Sequence, residues 1–584
     1  MSSPSSRSID AEQRCLLSNG RYSVMLGANG SGFSRWRGLA VTRWREDPVG
    51  DGWGSYLLLR DEDGGETWSA SQQPYGNRTP DDAVAFDAGR ARFSRRHHSV
   101  HSVLEVAVAA GADIELRRLT LSNHGDRTRT LSLTSYAELV LGPIGADNAH
   151  PAFSKMFVQT EWDAARGMLL ATRRRRDSSE AEVWAAQALQ IVGEDGGDAG
   201  ECETDRARFL CRLRTLRHAQ AMQPGAALSN TVGCVLDPVF ALRRHFTLAP
   251  DSSVTLLLWT RLADSRDGAL ALTTQLGDPD AAAQLFDGAE LHAEAECAQI
   301  GIGAAQAARS ARWMSALLYN DPCQRAAPDA LAHGRGGAPV LWSAGISGDR
   351  PIILLRLGEA DDLSRVNEVL QAQQHWRSQQ FAVDVVLLQA TGEARQAALD
   401  PLVSAQQARL KTDDQLPKAE LFALRDDAIG EDLRNGLLTV ARVVLDEAPP
   451  AQAAAGSPPA LAAPAAIRAT AMAEAVTASA DAPEFANGHG GFVDGGRAYR
   501  IELDGQRPTP APWVNVMANP AFGCMLSAEG GGYAWSLNSQ QNPLTPWPND
   551  PVSDSPHDVL YLRDEDSGVL WSACALPIRV AGAR

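Results

Sequence analysis

The sequence predicts a mainly β protein with an α/β part. It should contain a large antiparallel sandwich, a helical linker, a small parallel α/β layer and the start of a second sandwich. Three observations predict this. Residues 17–262 read as many short alternating strands, and the period turns helical near Asp278. The third is a long internal repeat. Trp44, Asp47-Pro48, Arg60-Asp61 and Trp68 recur as Trp547, Asp550-Pro551, Arg563-Asp564 and Trp571, each at an offset of 503. Upstream, Asn19, Tyr22, Met25, Gly30 and Gly32 match Asn519, Phe522, Met525, Gly530 and Gly532 at an offset of 500. Agreement in rare residue types at constant spacing implies two β domains that begin alike.

The elements follow in order. Residues 1–16 are polar and Ser-rich and are expected to be disordered. Residues 17–275 form the first sandwich. Within it 114–121 and 128–136 alternate with period 2 around Asn123-His124-Gly125, which reads as a hairpin turn because Asn and Gly tolerate positive φ. Further strands are expected at 167–172, 181–191 and 254–260. Residues 276–330 are a helical linker: Asp280 is placed to cap a helix over 281–298, and a second helix runs over 304–319. Residues 331–446 alternate apolar runs (351–357, 381–388, 419–424) with amphipathic helices near 361–378, 393–411 and 428–446, a β-α-β-α-β-α layer. It carries neither G-x-G-x-x-G nor a P-loop, so nucleotide binding is not expected. Residues 447–483 are rich in Ala and Pro and read as a linker. Residues 484–584 hold the incomplete second sandwich.

Composition narrows the function classes. A formal net charge of −17 argues against a general nucleic-acid surface, which needs clustered cations. The Ser-rich start has no apolar core of a signal peptide, and no run approaches the ~18 apolar residues of a membrane span. Eight single Cys without a C-x-x-C pair read as buried free thiols in a reducing cytoplasm. A cytoplasmic chain is expected, reaching the inner membrane only through a partner, with no cofactor and no metal.

Long motifs then carry a resemblance. LSNGRYSV at 17–24, GSGFSRWR at 30–37, AVTRWRED at 40–47, HPAFSK at 150–155, ETDRARF at 203–209 and LSNTVG at 228–233 resemble the bacterial cyclic β-1,2-glucan synthases. GISGD at 345–349, TPAPW at 509–513 and NPLTPW at 542–547 continue the match in the same order. The resemblance implies a modular, membrane-bound glucosyltransferase whose tandem sandwiches precede a helical (α/α)₆ barrel. That part is similar to the cellobiose and chitobiose phosphorylases, with a galactose-mutarotase-like supersandwich. In the family a barrel Asp is the general acid. The chain departs from the pattern because glucosyltransferase module, membrane helices and barrel are all absent from it. No position matches the general acid, so no catalytic residue is assigned.

Glycosyl transfer needs a proton donor and a second group on the opposite face of the sugar. Asp61 with Glu62, and Asp564 with Glu565, cannot serve, since neighbours on a strand point to opposite faces. Each block reads as a strand end and turn. Sugar faces stack on aromatic rings, and Asp, Asn and Arg take hydroxyls in planar fashion. Trp44, Arg45, Asp47 and Arg60 supply these groups in the first copy; Asn542, Trp547, Asn549, Asp550 and Arg563 supply them in the second. Trp68 and Trp571 read as shared core. His97 and His98 should diverge on a surface strand, Arg173–Arg176 should form a charged hairpin, and Asp147 to His150 an ordered rim loop.

The expected function is β-1,2-glucan binding beside a separately encoded catalytic barrel. Alternatives are a stand-alone carbohydrate-binding protein and a non-functional truncated gene product.

Overall fold

The structure is a computed structural model that describes residues 13–193, 200–276, 278–334, 337–358, 363–390, 393–412, 416–446, 482–503 and 507–578. It divides into two compact units. The first comprises residues 1–149, 153–205 and 227–453; the second comprises 150–152, 206–226 and 454–584. Most of the expected 1–16 tail and 447–483 linker lies outside the described residues. Arg14–Ser18 forms a strand, so the sandwich begins before residue 17.

Two sheets make the sandwich of the first unit. One has nine strands, in the order Arg14–Ser18, Tyr22–Gly27, Gly32–Trp36, Leu39–Thr42, Arg129–Pro143, Pro238–Leu248 and Glu201–Asp205; Tyr56–Asp61 pairs with Arg129–Pro143 and carries Thr67–Ser69. The other has eight, in the order Val158–Asp163, Met168–Arg173, Trp184–Ile191, Ser253–Ala263, Ile114–Asn123, Val100–Val108, Arg90–His97 and Ala83–Asp87. Their inner faces meet in one core that includes Val24, Leu26, Leu104, Val106, Leu119 and Leu258. Burying each Val or Leu contributes about 1.5–3 kcal/mol.

The predicted hairpin at Asn123-His124-Gly125 is not one. Ile114–Asn123 and Arg129–Pro143 lie in different sheets, because Val100–Val108 and Ser253–Ala263 occupy both edges of the former. Asn123 is buried and fixes the crossing. Its Oδ1 accepts from the Gly125 N–H at 3.0 Å, and its Nδ2 donates to the carbonyls of Arg127 and Leu248 at 2.8 and 3.1 Å.

The opening strands of the nine-stranded sheet are covered on both faces. Tyr22, Val24 and Leu26 enter the sandwich core, while Leu16, Met25 and Phe33 pack on Trp313, Met314 and Leu317. Those partners belong to the helix Ala304–Tyr319, as expected from the sequence. The preceding helix is Pro279–Ile300, and Asp278 rather than Asp280 caps it: Pro279 takes the first helical position, and the Asp278 carboxylate accepts from the Asp280 N–H at 2.9 Å.

The α/β layer is a four-stranded parallel sheet in the order Leu421–Arg425, Asp384–Gln389, Ile352–Leu357, Val443–Asp446. The helix expected over 428–446 ends at Val440, since Val443–Asp446 is a fourth strand. Its residues Val443, Val444 and Leu445 are β-branched or apolar, as a strand between covered faces requires.

In the second unit the repeat is structural as well as sequential. Val514–Ala518, Phe522–Ser527 and Gly532–Ser536 reproduce the first three strands at an offset of 500. A Cβ on Gly32 would lie 1.9 Å from the Met25 carbonyl oxygen, and one on Gly532 would lie 2.0 Å from that of Met525. Only glycine permits this close approach, twice.

Four cysteines, Cys211, Cys234, Cys323 and Cys574, are exposed, which corrects the expectation of buried thiols. They stand on loops and short turns rather than on core-facing strands. Among the described residues no helix is long and apolar enough to cross a membrane.

Candidate functional site

The sugar-binding vocabulary of the first copy is largely built into the protein. Trp44 lies edge-on to Phe33 and to Tyr319, with ring centroids 5.3 and 5.7 Å away. Its indole N–H donates to the Tyr319 hydroxyl at 3.1 Å, and that hydroxyl donates to Asp51 at 2.7 Å. Burial first, then the Asp51 charge, pushes the Tyr319 phenol up to about 12. Asp47 closes its Asp-Pro turn, accepting from the N–H groups of Val49 and Gly50 at 3.1 and 2.9 Å. Arg45 is half-buried. Arg60 corrects the sequence reading: it is 2% exposed and bound to Glu62 at 2.8 Å, so a sugar hydroxyl cannot reach its guanidinium. The reason is register, because Arg60 sits mid-sheet opposite Ser132 and Thr67.

In the second copy the corresponding tryptophan is open to solvent, while its partner Tyr533 is buried. Trp547 is 43% exposed and stacks on Tyr533, with centroids 4.8 Å apart and planes 3° from parallel. Trp535 lies 5.1 Å from Tyr533 on its strand. Tyr533 is the counterpart of Phe33, so the same pair of positions is edge-on and covered by Tyr319 in one copy and parallel, with the tryptophan open, in the other.

Polar groups follow along the 538–563 stretch of the chain. The loop residue Asn542 is exposed; its N–H donates to the Asn538 carbonyl at 3.0 Å and its carbonyl accepts from Ser536 at 3.1 Å. Thr545 donates to Asp558 at 2.9 Å, and Gln540 meets His150 at 2.9 Å. Asn549 takes a positive φ of 48° in the turn that follows. Asp550 is occupied: it accepts from the Val552 and Ser553 N–H groups and forms a two-pronged pair with Arg206 at 2.8 Å on each arm. Arg563 is exposed, on the hairpin of Tyr561–Arg563 with Leu570–Ser572. Trp571 is 39% exposed, not core like Trp68, which is 8% exposed.

Sequence reasoning missed Tyr533 and Arg206. Tyr533 was recoverable from the repeat, since Phe33 and Tyr533 are 500 apart. Arg206 was not, for its pairing spans 344 residues.

A second concentration of charge lies in the first unit. The expected rim loop is helical instead, as Ile144–Ala149 and Pro151–Lys155. Asp147 is buried and takes both arms of Arg43 at 3.0 and 2.9 Å. Arg43 also reaches Glu138 at 3.0 Å, and Lys155 holds Asp237 at 2.7 Å. Burial alone would lower the Arg43 pKa, but the bonds and charges of Asp147, Glu138 and Asp237 together raise it. All of these groups are satisfied by one another, so the cluster reads as an ordering device. The predicted charged hairpin appears at Arg176, paired with Glu180 at 2.8 Å; Arg173 is buried and donates to the Ser154 carbonyl at 2.9 Å.

Known proteins give this geometry its context. The sequence profile of the family described as glycosyl hydrolase 94, supersandwich domain, matches residues 4–279 and 497–584, the two copies of the repeat. The cyclic beta-(1,2)-glucan synthase NdvB of Rhizobium meliloti (strain 1021) is 34% identical over 582 residues, covering 96% of this chain and 20% of that protein. An N,N'-diacetylchitobiose phosphorylase of Vibrio proteolyticus is 25% identical over 41% of this chain and 29% of its own. A solabiose phosphorylase of Paenibacillus borealis is 23% identical over 40% of this chain and 30% of its own. The chain thus spans between a fifth and a third of these relatives. With the profile on both copies and their opening strands paired in the same register, the chain belongs to the glycosyl hydrolase 94 supersandwich family.

Proposed function

We propose that this region binds and positions β-1,2-glucan for a catalytic barrel. One observation carries the reading: Trp547 stacks on Tyr533 and keeps 43% of its surface open, five residues after exposed Asn542 in the chain. Backed by Tyr533, the open Trp547 ring offers a flat apolar face to a sugar ring, and exposed amides of the preceding loop offer hydrogen bonds to its hydroxyls. The relative that matches 96% of the chain is a cyclic beta-(1,2)-glucan synthase, which supplies the candidate polymer. Calorimetric titration with linear and cyclic β-1,2-glucans, against cello-oligosaccharide, tests it. Selective heat with the β-1,2 polymers supports the reading; none with any glucan removes it.

The first copy favours a second reading. There Tyr319, at the end of the helix Ala304–Tyr319, stands on Trp44. A helix of a barrel partner would meet Trp547 in the same way. Under that reading glucan alone gives no heat, and a barrel chain from the same family protects Trp547 from fluorescence quenching by acrylamide.

A further inference from the structure

The turn that ends the strand Arg90–His97 overrides the alternation expected of it. His98 adopts a positive φ of 52°, so its ring is not sent to the face opposite His97. Both rings instead converge on one carboxylate. Glu66 Oε2 lies 3.3 Å from His97 Nε2 and 3.0 Å from His98 Nε2, and the three ligand atoms all fall within 4.8 Å of one another. The His97 ring is held in place from behind, stacked on Trp68 at 4.3 Å and 19°.

We propose that Glu66, His97 and His98 form a binding site for a borderline divalent transition-metal ion such as Zn²⁺, which clips the ends of the two sandwich sheets together. Tetrahedral Zn²⁺ with bonds near 2.0–2.1 Å places adjacent donor atoms about 3.3 Å apart, close to the spacing found. Two imidazoles and one carboxylate select Zn²⁺, Cu²⁺ or Ni²⁺ over Mg²⁺ and Ca²⁺, which take oxygen donors. Side-chain exposures of 33%, 60% and 55% for His97, His98 and Glu66 leave room for water in the remaining positions.

Two further observations support the site. Arg95, whose charge acts on His97, is drawn off by Asp82 at 3.2 Å. Finally, the second copy keeps the tryptophan as Trp571 but has Val569 where the first has Glu66, so the ligand is not demanded by the shared fold. Glu66 directly precedes Thr67–Ser69 of the nine-stranded sheet, and His97 ends a strand of the eight-stranded one, so an ion here would tie one sheet to the other.

The test is titration of the untagged full chain with ZnCl₂ by calorimetry, paired with thermal unfolding with and without Zn²⁺. The site predicts one equivalent bound through these residues and a midpoint raised by several degrees, since an ion bound only by the folded state stabilises it. His98→Asn keeps a residue that tolerates positive φ but removes the imidazole. Glu66→Gln removes the charge. Each should weaken Zn²⁺ binding by at least about tenfold and abolish the thermal shift, while leaving the ion-free midpoint near that of the parent. Absence of Zn²⁺ binding, or binding and a thermal shift that both variants retain, would overturn the proposal.

Discussion

Arg43 shows how single residues set this structure. Its guanidinium is buried against Asp147, Glu138 and Asp237, and these carboxylates depend on it in turn. Removing one partner of a buried ion pair leaves the others unpaired in a poor solvent. Arg43→Ala should therefore cost about 3–5 kcal/mol in urea unfolding, whereas the exposed Arg563→Ala should stay within about 0.5 kcal/mol. Phenols report the same burial through pH. Burial, with neighbouring carboxylates, raises the pKa values of Tyr22, Tyr56 and Tyr319. Above pH ~10 an unfolded phenol ionises while these stay protonated, so the native state holds more protons and stability falls as pH rises there. Tyrosinate absorbance should show Tyr22 and Tyr56 silent until the chain unfolds and Tyr319 titrating above the exposed tyrosines; titration of all three with exposed tyrosines would contradict the burial described. At this scale the Asp-Pro turns were legible in sequence because their bonds are local. The Glu66–His97–His98 convergence was not, since one positive φ at His98 reverses the facing rule.

Among elements, the comparison of the two repeat copies is the most informative. Strands, glycines and Asp-Pro turns coincide at offsets of 500 and 503, yet the partners laid on them differ. The helix Ala304–Tyr319 covers the first copy, placing Tyr319 on Trp44. Trp44→Ala should cost about 3 kcal/mol and loosen that helix, seen as faster amide exchange over 304–319. Unchanged stability would mean that Trp44 is a surface ring after all. Strand and helix text was readable over 304–319 and in the α/β layer, where periodicity is strong. The Asn123 crossing was misread because a turn signal does not say which strands flank it in space. That choice is made by Val100–Val108 and Ser253–Ala263, distant in sequence.

Across the whole molecule, cysteine chemistry maps which surfaces are closed. Cys202 is fully buried, and burial with the Glu203 charge pushes its thiol up to about 12. Burial likewise raises the Cys15 thiol. At pH 8 a thiol reagent should modify Cys211, Cys234, Cys323 and Cys574 quickly and reach Cys15 and Cys202 only on unfolding, as read by mass spectrometry. Rapid loss of Cys202 would contradict the closed sandwich. The sandwich and the family were visible in the sequence because repeat and motifs are long. The candidate site was half visible: Trp547 and Asn542 could be named, but whether a ring is open or covered depends on what packs on it. Trp44 and Trp547 occupy equivalent positions and read alike until that is known.

The contrast between these two tryptophans is the most direct test of the account. Calorimetric titration with β-1,2-glucan should compare the parent with Trp547→Ala and Trp44→Ala. The open Trp547 ring predicts that Trp547→Ala weakens binding by at least about tenfold, while Trp44→Ala, if folded, binds as the parent does. Equal binding by the parent and Trp547→Ala, or loss confined to folded Trp44→Ala, would contradict it.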